Sequence, residues 1–223
     1  MFCVAIDGPG GAGKSTVAKA AASRMDMQYV DTGAMFRAVA YALIQRGIDP
    51  EDEAAIKPVI GDLNVRVDYI DHKQIVSVED VDVTPYIRTP EVGQGASKVG
   101  VHGCVREKLL AIQRQVAEDY SVIMDGRDIG TVVLPMADLK LFITASAEER
   151  AKRRYKELVA AGNTEADLAT IEAEIRERDY RDSHRAIAPL KQADDAYLLD
   201  TTEMTLDEVI NKVCAMIEEA RNR

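Results

Sequence analysis

The chain has 223 residues, 47% of them hydrophobic, and a net charge of −10 at neutral pH. That is enough for one substantial core with a smaller satellite, and it lacks the basic footprint of a nucleic-acid partner. No apolar run approaches the ~18 residues of a membrane span, and the opening Met-Phe-Cys-Val-Ala-Ile-Asp has no basic region of a secretory signal. Cys3, Cys104 and Cys214 are far apart and read as reduced thiols of a cytosolic protein. His72, His102 and His184 show no metal-ligand spacing and read as solvated or packing residues.

The first element is an apolar strand, Phe2 to Ile6, ending in Asp7. It opens into Gly8, Pro9, Gly10, Gly11, Ala12, Gly13, Lys14, Ser15 and Thr16, which contain G-x-x-x-x-G-K-[ST]. Glycines let backbone N–H groups converge on phosphate oxygens in conformations that a Cβ would forbid. The helix that follows adds its positive N-terminal end. Lys14 is placed to reach the β/γ-phosphates and Ser15 to offer a hydroxyl to Mg²⁺. The strand and helix that the motif requires flank it, so a plain glycine turn is set aside. The chain binds a nucleoside triphosphate.

Ser15 to about Met25 reads as an Ala-rich helix, with Ala18, Ala21 and Ala22 toward the sheet and Lys19 and Arg24 outside. A short strand, Met27 to Val30, ends in Asp31-Thr32-Gly33, and a helix follows from Ala34 to about Arg46, closed by Gly47. From Asn64 to Thr84 the period changes to two, predicting a small β hairpin or meander inside an insertion. Arg106 to Glu118 returns to helix. Ser121 to Met124 is a third core strand that delivers Asp125, in the form of a Walker B strand, near Mg²⁺. Leu139–Thr144 and Tyr197–Leu199 complete five short apolar strands, and a final helix opens at the capping box Thr205/Glu208. Strands alternating with helices predict an α/β fold, a parallel sheet covered on both faces, with ligands at the carboxyl ends of the strands.

An acceptor pocket needs anion-binding groups apart from the loop, and three stretches qualify. Asp31-Thr32-Gly33-Ala34-Met35-Phe36-Arg37 is a polar turn with a cation one helical turn on. Asp125-Gly126-Arg127-Asp128-Ile129-Gly130 sets charges between glycines beyond a buried strand. In the third, a helical stripe of Leu168, Ile171 and Ile175 continues in the same direction into Arg178, Asp182 and Arg185. Buried charge is costly unless paired or bound, and Arg suits phosphate, so this is a ligand-facing patch; the bland alternative is an exposed i,i+4 staple. The basic run Lys152-Arg153-Arg154-Tyr155-Lys156 follows Glu148 and Glu149, whose i,i+4 pairs suggest a solvated helix face.

With these blocks in one order, the chain resembles the bacterial cytidylate kinases, a family of nucleoside monophosphate kinases. The blocks are Asp31 to Met35, Ile87 to Val92, Val105-Arg106-Glu107, Asp125 to Val133, and Glu177-Arg178-Asp179 through Asp182 and Arg185 to Leu190. The resemblance implies a three-layer P-loop kinase fold with a five-stranded parallel sheet. It implies a single domain over 1–223, a monophosphate-binding insertion over 33–104 containing a small antiparallel sheet, and a short lid over 151–170. It implies ATP with Mg²⁺, held by Ser15 and Asp125, as donor and CMP or dCMP as acceptor, with no nucleic acid or membrane partner, in a monomeric cytoplasmic enzyme. Arg37, Arg127 and Arg185 would hold the acceptor phosphate, with Thr32 and Phe36 beside them. Ser97, Arg106 and Asp128 would read the cytosine edge, and Arg178 and Asp182 the sugar hydroxyls. Arg153 and Arg154 fall in the lid, and with Lys14, Arg127 and Arg185 they would carry catalysis. Phe36 stands where relatives often have Tyr, and His102-Gly103 where a Pro is expected.

A UMP/CMP-type kinase of broader acceptor range is the nearest alternative. A GTP-dependent switch would need N-K-x-D after a strand, whereas Asn211-Lys212-Val213-Cys214 lies in the last helix and lacks the Asp.

Overall fold

The computed structural model describes residues 1–71 and 73–222; His72 lies outside the described residues. In chain order the first half runs β1 (Cys3–Asp7), α1 (Lys14–Arg24), β2 (Gln28–Asp31), α2 (Thr32–Gln45), α3 (Glu53–Ile60), β3 (Val65–Ile70), β4 (Lys73–Val78) and β5 (Val81–Asp82). The second half runs α4 (Pro90–Val99), α5 (Gly103–Asp119), β6 (Val122–Asp125), a π-helical turn (Ile129–Val133), β7 (Leu139–Thr144), α6 (Ala147–Ala160), α7 (Leu168–His184), β8 (Tyr197–Asp200) and α8 (Leu206–Arg221).

The central sheet has the order β2-β6-β1-β7-β8 and every pairing in it is parallel. Successive side chains of a strand point to opposite faces. Val4 and Ile6 of β1, Ile123 of β6 and Leu139, Leu141 and Ile143 of β7 therefore pack with α1 and α8 through Val17, Ala18, Ala21, Val209, Val213 and Ile217. Ala5, Val122 and Met124 go to the other face, with Met35, Ala38 and Leu43 of α2 and Val105 and Leu109 of α5. That second core continues into Ile56, Val65, Val76 and Ile87, so residues 56–87 share an apolar interior with the sheet.

The period-two stretch is the antiparallel sheet β3-β4-β5, as expected. Gln74 of β4 joins it to the core: its side-chain amide accepts from Asp31 N at 2.7 Å and donates to Asp31 O at 3.1 Å. The pair of bonds copies a strand ladder and closes the outer edge of β2.

Two helices start before the expected positions. α2 begins at Thr32 because Asp31, at the strand end, accepts from Ala34 N at 2.9 Å. α5 begins at Gly103, after His102, which is buried with Nε2 2.9 Å from Pro50 O. His184 is exposed and stacks on Tyr180 with ring centroids 4.0 Å apart. The capping box at Thr205 is present. Leu168 does not begin the inward stripe: it occupies the first position of α7, beside the 161–167 loop, and is 36% exposed, so the buried face starts at Ile171. Ile171 and Asp182 are buried on one face with Ile175, Arg178 and Arg185 half-buried along it, in the direction the spacing predicts.

Candidate active site

Three carboxylates end three adjacent strands. Ile6 pairs with Asp125, and Asp125 with Asp31, so the carboxyl edge of the sheet carries Asp7, Asp125 and Asp31 side by side. Asp7 turns inward and accepts from Ile129 N at 2.8 Å and Gly130 N at 2.7 Å, fixing the π-helical turn against β1. Burial, above all, pushes its carboxyl up to about 6. Asp125 accepts from Ser15 Oγ at 2.7 Å and from Tyr29 OH at 3.0 Å. Burial and then the Asp31 charge push it up to about 6 as well.

The phosphate loop crosses the same edge. Gly8 has φ 143°, and a Cβ there would lie 1.9 Å from Ile143 O, so only glycine fits against β7. Gly13 caps α1 in a left-handed conformation, φ 80°. Lys14 is buried and its Nζ donates to Pro9 O at 2.7 Å. Burial first, and then Arg127, hold its ammonium well below the ordinary lysine value.

One cavity of about 560 Å³ takes in the loop and the acceptor residues together, a size suited to small-molecule ligands. Gly10 to Thr16, Thr32, Phe36, Arg37, Ser97, Arg106, Asp125, Arg127, Asp128, Arg153, Arg178, Asp182 and Arg185 all line it. Gly8, Pro9 and Arg154 do not. Gly8 is packed on β7, and Pro9 takes part through its carbonyl. Arg154 is paired with Glu157, 3.2 Å away, and it is Glu157 that lines the cavity. The expected pairs Glu148/Lys152 and Glu149/Arg153 both form, at 2.6 and 3.2 Å. Arg153 also donates to Thr201 O at 2.8 Å, which brings it to the cavity while Lys152 stays outside.

The side of the cavity away from the loop holds more positive charge than its carboxylates neutralise. Asp182 accepts from Arg127 Nε at 2.9 Å and lies 4.0 Å from Arg178 Nε. Burial pushes the Asp182 carboxyl up, but Arg127, Arg178 and Arg185 together outweigh it and hold it below the usual range. Asp128 accepts from Arg106, and from Arg185 at 3.4 Å. Arg106 in turn donates to Gly100 O at 3.0 Å and stands over the Phe36 ring, 5.4 Å from its centroid. Arg37, Arg178 and Arg185 are pushed down mainly by burial, with neighbouring guanidiniums adding to it; Arg178 falls to about 10. All stay charged at neutral pH. Arg178 Nε and Ser97 Oγ are buried without a hydrogen-bond partner among the described residues. Cations that repel one another and polar atoms left open are the marks of an anion-binding cavity.

Two arginines are absent from the residues singled out in the sequence. Arg88 Nη2 reaches Asp31 Oδ2 at 2.6 Å and lines the cavity. Arg150 is buried beneath the phosphate loop. Arg88 sits within the Ile87–Val92 block, which could have directed attention to it. Arg150 stands in a run of alternating charge that gave no such signal.

A family model described as cytidylate kinase matches residues 4–219. A cytidylate kinase of Leuconostoc mesenteroides is 50% identical over 217 residues, covering 97% of this chain and 96% of that protein. One from Pseudomonas paraeruginosa is 48% identical over 218 residues, covering 97% and 95%. A crystal structure of an uncharacterized protein from Eubacterium ventriosum shares the fold, with TM-score 0.54, 14% identity and 98% of both chains covered. The chain belongs to the cytidylate kinase family.

Proposed function

We propose that this enzyme moves the γ-phosphoryl group of ATP onto CMP or dCMP, giving ADP and CDP or dCDP. The observation that carries the reading is the set of partly uncompensated guanidiniums, Arg37, Arg127, Arg178 and Arg185, sharing one cavity with the phosphate loop. An acceptor phosphate supplies the missing negative charge, and Arg recognises it in a planar, bidentate way. Ser97, Arg106 and Asp128 converge on the same cavity, where an Asp carboxylate can accept from the cytosine amine.

The reacting oxygen of a monophosphate is already anionic at neutral pH, so no side chain has to remove a proton. A P–O bond to the acceptor forms as the β,γ bridging P–O bond breaks, and the electron pair leaves on ADP. The protein's part is alignment and neutralisation of charge on the transferring group. Lys14 would exchange Pro9 O for the donor phosphates, and Arg127, Arg185 and Arg153 would surround the transferring oxygens. Residues 33–104 would present the acceptor, and 151–170 would close over it and exclude water.

Ser15 Oγ and the Asp125 carboxylate are 2.7 Å apart beside the loop, a hard-oxygen pair suited to Mg²⁺, which binds one or two carboxylates together with substrate phosphates. Ser15 and Asp125 would hold the ion, which would supply charge neutralisation to the donor phosphates. With a net charge of −10 the chain would repel a nucleic-acid backbone, and we take it to act as a monomer on small molecules in the cytoplasm. Among the described residues no helix is long and apolar enough to cross a membrane.

A coupled assay of ADP formation with CMP, dCMP, UMP and AMP tests the reading. Turnover with CMP and dCMP well above UMP and AMP is expected. Equal rates with UMP would favour the broader kinase, and no ADP with any acceptor would end the proposal. The switch reading has no support in the fold, since Asn211 to Cys214 lie within α8.

A further inference from the structure

Arg150 is a buried cation that the phosphoryl-transfer scheme does not use. It is 4% exposed and outside the cavity. Its Nε donates to Ala145 O at 2.9 Å, where β7 runs out toward α6. Nη1 donates to Gly10 O in the phosphate loop at 2.9 Å. The two terminal nitrogens also grip Asp179 on α7, Nη1 to Oδ1 at 3.1 Å and Nη2 to Oδ2 at 2.5 Å. One guanidinium thus ties together the loop, the root of α6 and the far end of α7.

From this fork we infer that Arg150 is a positioning residue for the donor: with Asp179 it fixes the Gly10–Gly11 peptide of the phosphate loop. In a planar trans peptide the C=O and N–H point in opposite directions. With Gly10 O held toward Arg150, the Gly11 N–H is turned away from it. Gly10 and Gly11 line the cavity and Arg150 does not, so that N–H is turned to the cavity side, where donor phosphate sits. The left-handed Gly11, φ 76°, lies over the Arg150 stem, 3.6 Å from its Cβ if a side-chain carbon is added. Asp179 completes the device by neutralising and orienting the fork. A lysine would keep the charge but not the planar set of donors. Because Arg150 lies in the first turn of α6 and Asp179 near the C-terminal end of α7, the same link joins the loop to the two helices that flank the segment over 151–170.

The inference rests on ATP being the donor, and its test separates the two claims. ATP and CMP affinities are measured by titration calorimetry on wild type, Arg150→Lys, Asp179→Asn and the double variant, with circular dichroism to establish folding. Wild type failing to bind ATP would overturn the kinase reading itself. If wild type binds ATP, each single variant is expected to lose at least fivefold more affinity for ATP than for CMP, and the double variant no more than Arg150→Lys alone. A smaller differential, or losses that multiply in the double variant, would overturn the positioning role. Should Arg150→Lys fail to fold, Asp179→Asn, which preserves side-chain volume, decides by the same ratio.

Discussion

Replacing Asp128 by Asn separates its observed task, holding two arginines, from its proposed one, reading the acceptor base. Asp128, Arg106 and Arg185 have side chains 7%, 10% and 8% exposed, so the ion pairs are shielded from water. Removing one partner of a buried pair costs about 3–5 kcal/mol. Arg106 keeps Gly100 O and the Phe36 ring, and Arg185 keeps Ala188 O at 2.7 Å. The loss should therefore fall at the low end, about 3 kcal/mol, which for a chain of this size lowers Tm by about 6–12 °C. In the proposed reading the carboxylate would accept from the cytosine amine and oppose the uracil carbonyl; one such contact discriminates by about 1–3 kcal/mol. The ratio of kcat/KM for CMP over UMP should drop about fivefold to 150-fold. Differential scanning fluorimetry and the coupled assay measure both effects. An unchanged Tm would remove the buried pairs as a source of stability, and an unchanged ratio would remove Asp128 from base reading.

Arg127→Ala and Arg185→Ala should each lower kcat by two or more orders of magnitude with circular dichroism unchanged; near-normal turnover in either would take that residue out of the site. Gly8→Ala should destabilise the chain by several kcal/mol in urea, because the added Cβ falls 1.9 Å from Ile143 O; a shift below 1 kcal/mol would contradict the packing of the loop on β7. Asp7 and Asp125 have folded values of about 6 against an ordinary 3.8. The folded state therefore holds these protons more tightly than the unfolded chain. Their contribution is fully present below pH ~4 and is lost as pH rises through ~6, on the order of a few kcal/mol together. Nucleotide-free protein should lose stability between pH 4 and 6.5 in chemical denaturation, and a rise over that window would contradict the assignment.

What could be read in the sequence depended on how local the physics is. The phosphate loop was legible because its groups are backbone amides in one contiguous stretch, bounded by the strand and helix that aim them. Arg178 and Asp182 were legible because helical period places those side chains on the face begun by Ile171; Arg185 follows as the C-cap, just past the end of α7. Arg150 was hidden because its partners Gly10 and Asp179 lie 140 and 29 residues away in the chain, and its neighbours in sequence look like a solvated helix. Gln74 was hidden for the same reason: on β4 it is one polar residue of a hairpin, and only the docking of that hairpin on β2 gives it Asp31. Asp31 was legible as a strand-end carboxylate but not as a helix cap, because both roles follow from the same Asp-Thr-Gly.

In the proposed reading donor and acceptor share one cavity, phosphates facing. An inhibitor joining adenosine and cytidine through five phosphates tests it most directly. Inhibition competitive against both ATP and CMP, with affinity exceeding that of either nucleotide alone, is the predicted result. Competition with only one of the two would contradict the account.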